Sequence, residues 1–494
     1  MSATATNPAA RALVEHRFVL TCVTRTPLHV GAGEPGAATD AELRRNAGGQ
    51  YVIPGTSIAG ALRTVVERLA GIQERPLPER CLLYRPEFRS GPGSSPDPCG
   101  CSVCRLFGDV RPSGTARASR VTVFDAVIKQ PHTRVIDGVG ISRSRGAAQD
   151  GRKYDYRQIL PGSPIQIEVV AEQLTDEELA WLGAALRILA TGQVGLGGRT
   201  SRGHGILKAD PAQCQIFRRD LHVADQLLNC VVADATHGRD WGKPLRKTLP
   251  EFPGAELGLS HRITVKFDMA PVAHGTFLIA DPLQAAATGF DRGQRKLQDK
   301  PEIPASSLVG VLRSGAERIV RTIGGRACDP LERRCTPAQE PSVADDNGCC
   351  PICRLFGNED WASRLSATVT SQGASRAMPF DHVAIDRFTG GASDQKKFDA
   401  LAAMGGVFHV ELTADRVHDE ETARWIIGLL ALVLRDLHDG RLWLGHGGAK
   451  GHGLMQLAKA PSWTVPADWN NPADDLPGCV AALWKLVEGE HRDE

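Results

Sequence analysis

The feature that most constrains this chain is that it matches itself. IPGTSIAGALRTVVERLAG at 53–71 is answered by IPASSLVGVLRSGAERIVR at 303–321, 250 residues later. CSVCRLFG (101–108) is answered by CPICRLFG (350–357) at an offset of 249, and VID (135–137) by AID (384–386) at 249. The Gly-His-Gly that closes LGGRTSRGHG (196–205) returns at the end of GHGGAKGHG (445–453), 248 residues on. Four signals in one order, drifting by two residues, make the chain a duplication. Its 494 residues suit two hydrophobic cores better than one. The first domain is expected over 15–210 and the second over 259–460, with a connector at 211–258 and a tail at 461–494.

Each repeat opens on an alternating β-branched run, HRFVLTCVTRTPLHV or HRITVKFDMAPVAH, that predicts a strand. After a loop and Ile-Pro comes a helix whose Ile58, Leu62, Val65 and Leu69 form one apolar face, with Ser57 and Ser307 in its first turn. A second helix (TDEELAWLGAALRILATG; DEETARWIIGLLALVLRDL) precedes a glycine-rich loop and a closing strand. Strand–helix–strands–helix–strand is the ferredoxin-like pattern, an α+β class. The 52 glycines and 31 prolines argue against a helix bundle.

The start lacks a charged segment followed by an apolar one, and the longest apolar run, Trp425 to Leu434, is too short for a bilayer. A cytoplasmic protein with no membrane partner is therefore expected. There, clustered cysteines serve as metal ligands more often than as disulfides. The first repeat offers Cys81, Cys99, Cys101 and Cys104. The second offers Cys328, Cys335, Cys350 and Cys353, with Cys349 as the spare, because adjacent residues seldom hold one ion together. Four thiolates close a tetrahedral shell, so two structural Zn2+ sites are expected, each pinning a long insertion. The tight Cys99-Gly-Cys101 spacing leaves the fourth ligand of the first site open.

A net charge of +1 gives no global argument for nucleic acid, so a phosphate surface has to be local. Three repeated features qualify. One is the helix after Ile-Pro, with Ser57 and Arg63 or Ser307 and Arg313, where free N–H groups and a cation suit phosphate. Another is the glycine loop, where Arg199 and Arg202, or Lys450, are interleaved with glycines that let another backbone approach. The last is the stretch after VID and AID, a long hairpin bearing Arg143, Arg145, Arg152, Lys153 and Arg157, or Arg387, Lys396 and Lys397. Ordinary capping and a solvated charged face are the plainer readings of the same residues.

Taken together these motifs resemble the RAMP superfamily, specifically the Cas-seven-type backbone subunits of type III CRISPR effectors. The carriers are the Ile-Pro-(Gly/Ala)-(Thr/Ser)-Ser helix ending in Arg, C-x-x-C-Arg-Leu-Phe-Gly, Ile-Asp-Arg-x-Thr-Gly-Gly-Ala at 385–392, and the glycine loop. A two-repeat chain resembles the fused double subunit of the III-D branch. The resemblance implies two tandem ferredoxin-like (RRM-like) domains, each with a zinc insertion and a thumb hairpin (around 135–157 and 384–398). It implies a crRNA partner, complementary target RNA and other type III subunits. Gly138 stands where the second repeat has Arg387, so the first thumb departs from the pattern.

The resemblance also implies a metal-dependent RNA endonuclease, in which an aspartate in the loop before Ile-Pro, with Mg2+ or Mn2+, cuts the target through its 2′-hydroxyl. The matching residue is Asp40 in the first repeat. In the second it is Asp291, with Asp281 as runner-up because that loop is about six residues longer. The alternatives are a scaffold that holds guide RNA without cutting, and a precursor-processing endonuclease acting through His29 or His204.

Overall fold

The structure, a computed structural model, describes residues 14–36, 39–73, 101–109, 117–210, 214–221, 223–225, 227–228, 241, 244–245, 249, 262–273, 275–329, 331, 335, 349–417, 419–466 and 469–490. Its contacts separate two units. One comprises Met1–Ile136, Tyr154–Thr200 and His204–Leu259; the other comprises Asp137–Lys153, Ser201–Gly203 and Ser260–Glu494.

In the first unit β1 (Val14–Thr24) is followed by α1 (Gly55–Gln73), the short α2 (Ser102–Phe107) and β2 (Val121–Val123). Then come β3 (Thr133–Ile141) and β4 (Ala148–Ile159), which pair as a hairpin whose 137–153 part is counted with the other unit, β5 (Pro164–Glu172), α3 (Asp176–Ala190), β6 (Leu207–Lys208) and β7 (Gln215–Asp220). The sheet runs β2-β5-β1-β6 with antiparallel neighbours. In order of use that is strand order 2-3-1-4, the ferredoxin-like arrangement.

Alternation in β1 sends Phe18, Leu20 and Cys22 to one face, where Ile167 and Val169 of β5 join them. Helices α1 and α3 cover that face with Ile58, Leu62, Val65, Leu69, Trp181, Leu182 and Leu186, all buried. Helix α3 starts on a reciprocal capping box. Thr175 Oγ accepts from the Glu178 N–H (3.2 Å) and the Glu178 carboxylate accepts from the Thr175 N–H (2.9 Å).

The second unit repeats the plan with β8 (Ile263–Pro271), α4 (Pro282–Thr288), α5 (Ala305–Thr322), α6 (Pro351–Phe356), β9 (Leu365–Ile385), β10 (Ala392–Ala414), α7 (Glu420–His438), β11 (Met455–Leu457), β12 (Ser462–Thr464) and α8 (Leu476–Glu490). Here β9-β10-β8-β11 is again order 2-3-1-4, with antiparallel neighbours. Strands β9 and β10 extend past the sheet as one continuous hairpin to a turn at 386–391. Asp386 closes that turn, its carboxylate accepting from the N–H groups of Phe388 (2.9 Å) and Thr389 (2.8 Å). The Ile-Asp-Arg-x-Thr-Gly-Gly motif therefore encodes a hairpin tip that leaves Phe388 fully exposed.

The repeats are larger than their sequence match. The segment expected as a connector supplies β7, which pairs with β1 along Val14–Val19, and Trp241, which packs on Val19, Val170 and Phe217. The segment expected as a tail supplies β12, paired with Thr264–Lys266 of β8, and α8, whose Cys479, Leu483 and Val487 join the core. Gly428 in α7 makes that docking possible, because a Cβ there would stand 2.3 Å from the Cys479 carbonyl oxygen. Both additions follow the last shared motif and carry unrelated sequences, so self-comparison could not reveal them.

Candidate functional site

The Ile-Pro helix and the C-x-x-C turn, the two clearest repeated motifs, hold each other. The Arg63 guanidinium donates to Glu67 (3.0 Å) and to the Gly108 carbonyl (3.2 Å); Arg313 donates to Glu317 (3.0 Å) and to the Gly357 carbonyl (2.8 Å). Gly108 and Gly357 both have φ of 74°, and a Cβ on either would meet backbone at 2.5 Å. Arg63 and Arg313, expected at phosphate, each brace the turn after C-x-x-C, with 19% and 12% of the side chain exposed. Ser119 and Ser363, in a repeated Ala-Ser-Arg that sequence comparison passed over, tie the same turn to the sheet through the carbonyls of Leu106 and Leu355 (both 3.2 Å).

The pairs differ in burial, and so in their expected cost. The Glu317 side chain is 1% exposed and Glu67 34%. Arg313→Ala should destabilise the second unit by about 2 kcal/mol: Glu317 keeps Arg143 (2.7 Å), but one buried carboxylate oxygen and the Gly357 carbonyl lose their charged donor. Arg63→Ala should cost about 1 kcal/mol at most through its ion pair. Thermal unfolding of the two variants checks the difference.

Among the described residues, Cys328, Cys335, Cys350 and Cys353 bring their sulfurs within 4.8 Å of one another. Four thiolates at Zn–S distances of about 2.3 Å stand roughly 3.8 Å apart, so this set fits a metal such as zinc. Cys349 is buried but lies outside the group. Hydrogen bonds from the Cys335 and Cys353 thiols draw Cys350 well below the usual thiol range. Cys335 is pushed up to about 12, chiefly by that same bond to Cys350, and Cys328 to about 11, chiefly by burial. The Arg313 guanidinium lies 3.9 Å from the Cys353 sulfur. In the first unit Cys101 caps α2 and Cys104 is buried beside it, while Cys81 and Cys99 lie outside the described residues.

The glycine loops make their close approaches at matching places. A Cβ on Gly197 would stand 2.4 Å from the His29 carbonyl oxygen, and one on Gly445 2.4 Å from that of Leu278, with φ of 81° and 87°. In the first unit Gly195–Gly198 line a cleft of about 320 Å³ together with Val30, Gly31, Ala61 and the exposed Ser57. Helix N-terminus and glycine loop therefore face one opening. Ser307 is half-buried at the matching position.

Asp40 and Asp291 occupy equivalent positions. The Asp40 N–H donates to the Asp155 carboxylate (2.7 Å) and the Asp155 N–H donates to that of Asp40 (2.9 Å). The Asp291 N–H donates to Asp399 (2.7 Å) and the Asp399 N–H donates to Asp291 (2.9 Å). In each unit the segment after the aspartate runs parallel to the returning hairpin strand, Ala41 beside Tyr156 and Arg292 beside Ala400. An aromatic residue adjoins each partner aspartate and receives a cation from the glycine loop. Arg199 lies 3.8 Å from the Tyr156 ring and 5.2 Å from that of Tyr154; Lys450 lies 4.1 Å from that of Phe398. The loop aspartate and the glycine loop thus converge on one strand, twice.

Asp281 sits differently. It is buried and caps α4, accepting from the Leu283 N–H at 3.1 Å. His29 donates through Nδ1 to the Arg157 carbonyl (2.7 Å), and burial holds it below its usual pKa. His204 contacts Gln158 (3.0 Å) and is buried. Of the hairpin cations, Arg145, Arg152, Lys153, Arg387, Lys396 and Lys397 are exposed, Lys153 and Lys397 beside Asp137 (3.7 Å) and Asp381 (3.5 Å). Arg143, in the 137–153 stretch of the second unit, is spent on Glu317 (2.7 Å), and Arg157 on Glu42 (2.8 Å). Arg202 is half-buried in a short 3₁₀ turn. Sequence reasoning missed Asp155, Asp399 and Glu317. The first two lie 115 and 108 residues from their partners, and the signal that could have found them is the repeated Arg-Lys-Tyr-Asp (152–155) and Lys-Lys-Phe-Asp (396–399).

Comparison with known proteins agrees with this plan. The family model described as the RAMP superfamily matches residues 21–208 and 288–456. The chain is 28% identical over 198 residues to the CRISPR system Cms endoribonuclease Csm3 of Methanocaldococcus jannaschii, a match covering 37% of this chain and 73% of that protein. Among the described residues no helix is long and apolar enough to cross a membrane.

Proposed function

This chain belongs to the RAMP superfamily, and from that premise we propose that it is a double backbone subunit of a type III CRISPR effector that holds guide RNA and cuts complementary target RNA. The observation that carries the reading is the repeated convergence of a loop aspartate, an aromatic residue and a glycine-loop cation on the returning hairpin strand. The Csm3 relative, named as an endoribonuclease, supports it.

Guide phosphates run along the glycine loop and the N-terminus of α1 or α5, where main-chain N–H groups and Ser57 or Ser307 receive them. The exposed cations at 145–153 and 387–397 grip the strand from the hairpins. Both repeats carry a structural zinc on their cysteines. It is a closed shell with no position for chemistry.

At the cut, the 2′-oxygen of the target attacks the adjacent phosphorus and the bond to the 5′-oxygen breaks. The 2′-hydroxyl gives up its proton and the departing 5′-oxygen gains one, leaving a 2′,3′-cyclic phosphate and a 5′-hydroxyl. Asp40 and Asp291, exposed and oxygen-rich, orient the 2′-hydroxyl for in-line attack. Mg2+ or Mn2+, when bound, supplies positive charge against the charge developing at the phosphate.

Protein purified from its native host should carry RNA of defined length with a repeat-derived 5′ end, and the loaded complex should cut a complementary RNA at two separated positions. Sequencing the bound RNA and mapping the products check both. RNA of random sequence would sink the proposal.

A further inference from the structure

A loop aspartate aligned for chemistry has to be held, and an exposed one does not hold itself. Asp40 and Asp291 are exposed, whereas Asp155 and Asp399 are half-buried on the returning hairpin strand. The four hydrogen bonds between them, at 2.7 and 2.9 Å in one unit and again at 2.7 and 2.9 Å in the other, form the same reciprocal clasp twice. The parallel bridges one residue further on, Ala41 with Tyr156 and Arg292 with Ala400, fix the backbone beside each clasp. The surrounding sequence shares a short motif, Arg-Lys-Tyr-Asp at 152–155 and Lys-Lys-Phe-Asp at 396–399. Beyond the aspartate the strands diverge, Tyr-Arg in the first and Ala-Leu in the second, so the likeness ends at the clasp residue.

We propose that Asp155 and Asp399 are positioning residues, which set the backbone and carboxylate of Asp40 and Asp291 for cleavage. The inference rests on the reading of Asp40 and Asp291 given above. The two bonds of each clasp depend on different side chains. The Asp155 carboxylate receives the Asp40 N–H and so fixes the loop's backbone; the Asp155 N–H orients the Asp40 carboxylate and survives any change of the Asp155 side chain. What the Asp155 and Asp399 side chains supply is therefore an acceptor oxygen. An asparagine keeps that oxygen and an alanine does not. Through its hairpin strand, the clasp also ties the cutting residue to the element that grips the RNA.

The test uses the complete guide-loaded complex and a complementary RNA, with the products of both cuts resolved. Asp155→Ala should slow the cut that Asp40→Ala removes by about 100-fold, the scale expected from misplacing a reacting group by about an ångström. The other cut, in the same molecule, should keep its rate. Asp399→Ala should do the converse, and Asp155→Asn and Asp399→Asn should stay within about threefold of the parent, as the retained acceptor implies. Equal loss in Asn and Ala variants overturns positioning in favour of a required charge. Loss of both cuts with lowered thermal stability overturns it in favour of a structural role. If Asp40→Ala removes a cut and Asp155→Ala changes nothing, the inference alone fails. If Asp40→Ala and Asp291→Ala leave both cuts intact, the cleavage reading fails and takes the clasp's role with it.

Discussion

Asp40→Ala should remove one of the two cuts in a complementary target and Asp291→Ala the other, each slowing its site by about 100-fold or more, the scale for losing the alignment of a reacting group. Binding of guide and target should persist. Both side chains are exposed, and neither unit's core includes them. The alanine variants lose one hydrogen bond, that from the Asp155 or Asp399 N–H, worth about 1 kcal/mol. Stability therefore stays near that of the parent while one product band disappears. Asp281→Ala supplies the contrast. It removes the N-cap of α4, at a cost of about 1 kcal/mol, and leaves both cuts in place. A guide-holding scaffold that does not cut predicts a different gel, with the same products, or none, from every variant. Mapping product ends by primer extension decides between them, and an unchanged band after Asp40→Ala with guide bound would refute the assignment.

The fold was largely legible in the chain because the features that specify it are local and occur twice. The apolar face of α1 lies within one helix and formed as its spacing predicts, and α3 lies where its sequence places a helix. The cysteine set of the second repeat was legible for the same reason: C-x-x-C supplies half of it, and Cys328 and Cys335 are the upstream thiols available, with Cys349 excluded by its neighbour.

What was not legible depends on partners far apart in sequence. The brace formed by Arg63 and Arg313 is one example, where a helix residue meets a glycine carbonyl some 45 residues on. The repeated Arg-Lys-Tyr-Asp and Lys-Lys-Phe-Asp mark Asp155 and Asp399 but not their partners, since an aspartate accepting a distant N–H has the same sequence as one bathed in water. Strands β7 and β12 were invisible for another reason. A single edge strand needs only main-chain pairing and one apolar row, so the two copies carry different residues and share only their place beside β1 and β8.

Removing the metal should have the largest effect on stability. The parent chain should bind two zinc ions, and Cys350→Ala should bind one, as measured by elemental analysis after extensive dialysis. Three of the four second-unit ligands, Cys335, Cys350 and Cys353, are members of the main core cluster rather than of a peripheral knot. Without a cation this cluster holds one thiol far down and its neighbours up, because hydrogen bonds among the sulfurs favour one anion and oppose a second. A divalent cation lets all four ionise, with release of protons, so affinity falls as pH falls. Structural zinc contributes on the order of 10 kcal/mol in small metal-folded peptides. Here a preformed core shares the load, but loss of even a third of that exceeds what one core substitution usually costs. Arg313 transmits the loss inward, since it touches the Cys353 sulfur, the Gly357 turn and buried Glu317 together. Cys349→Ala is the control: a buried thiol outside the ligand set, it should keep both ions and melt within a few degrees of the parent. Should Cys350→Ala retain two zinc ions and the parent's melting temperature, the cysteines are packing residues, and the insertion is held by its apolar contacts alone.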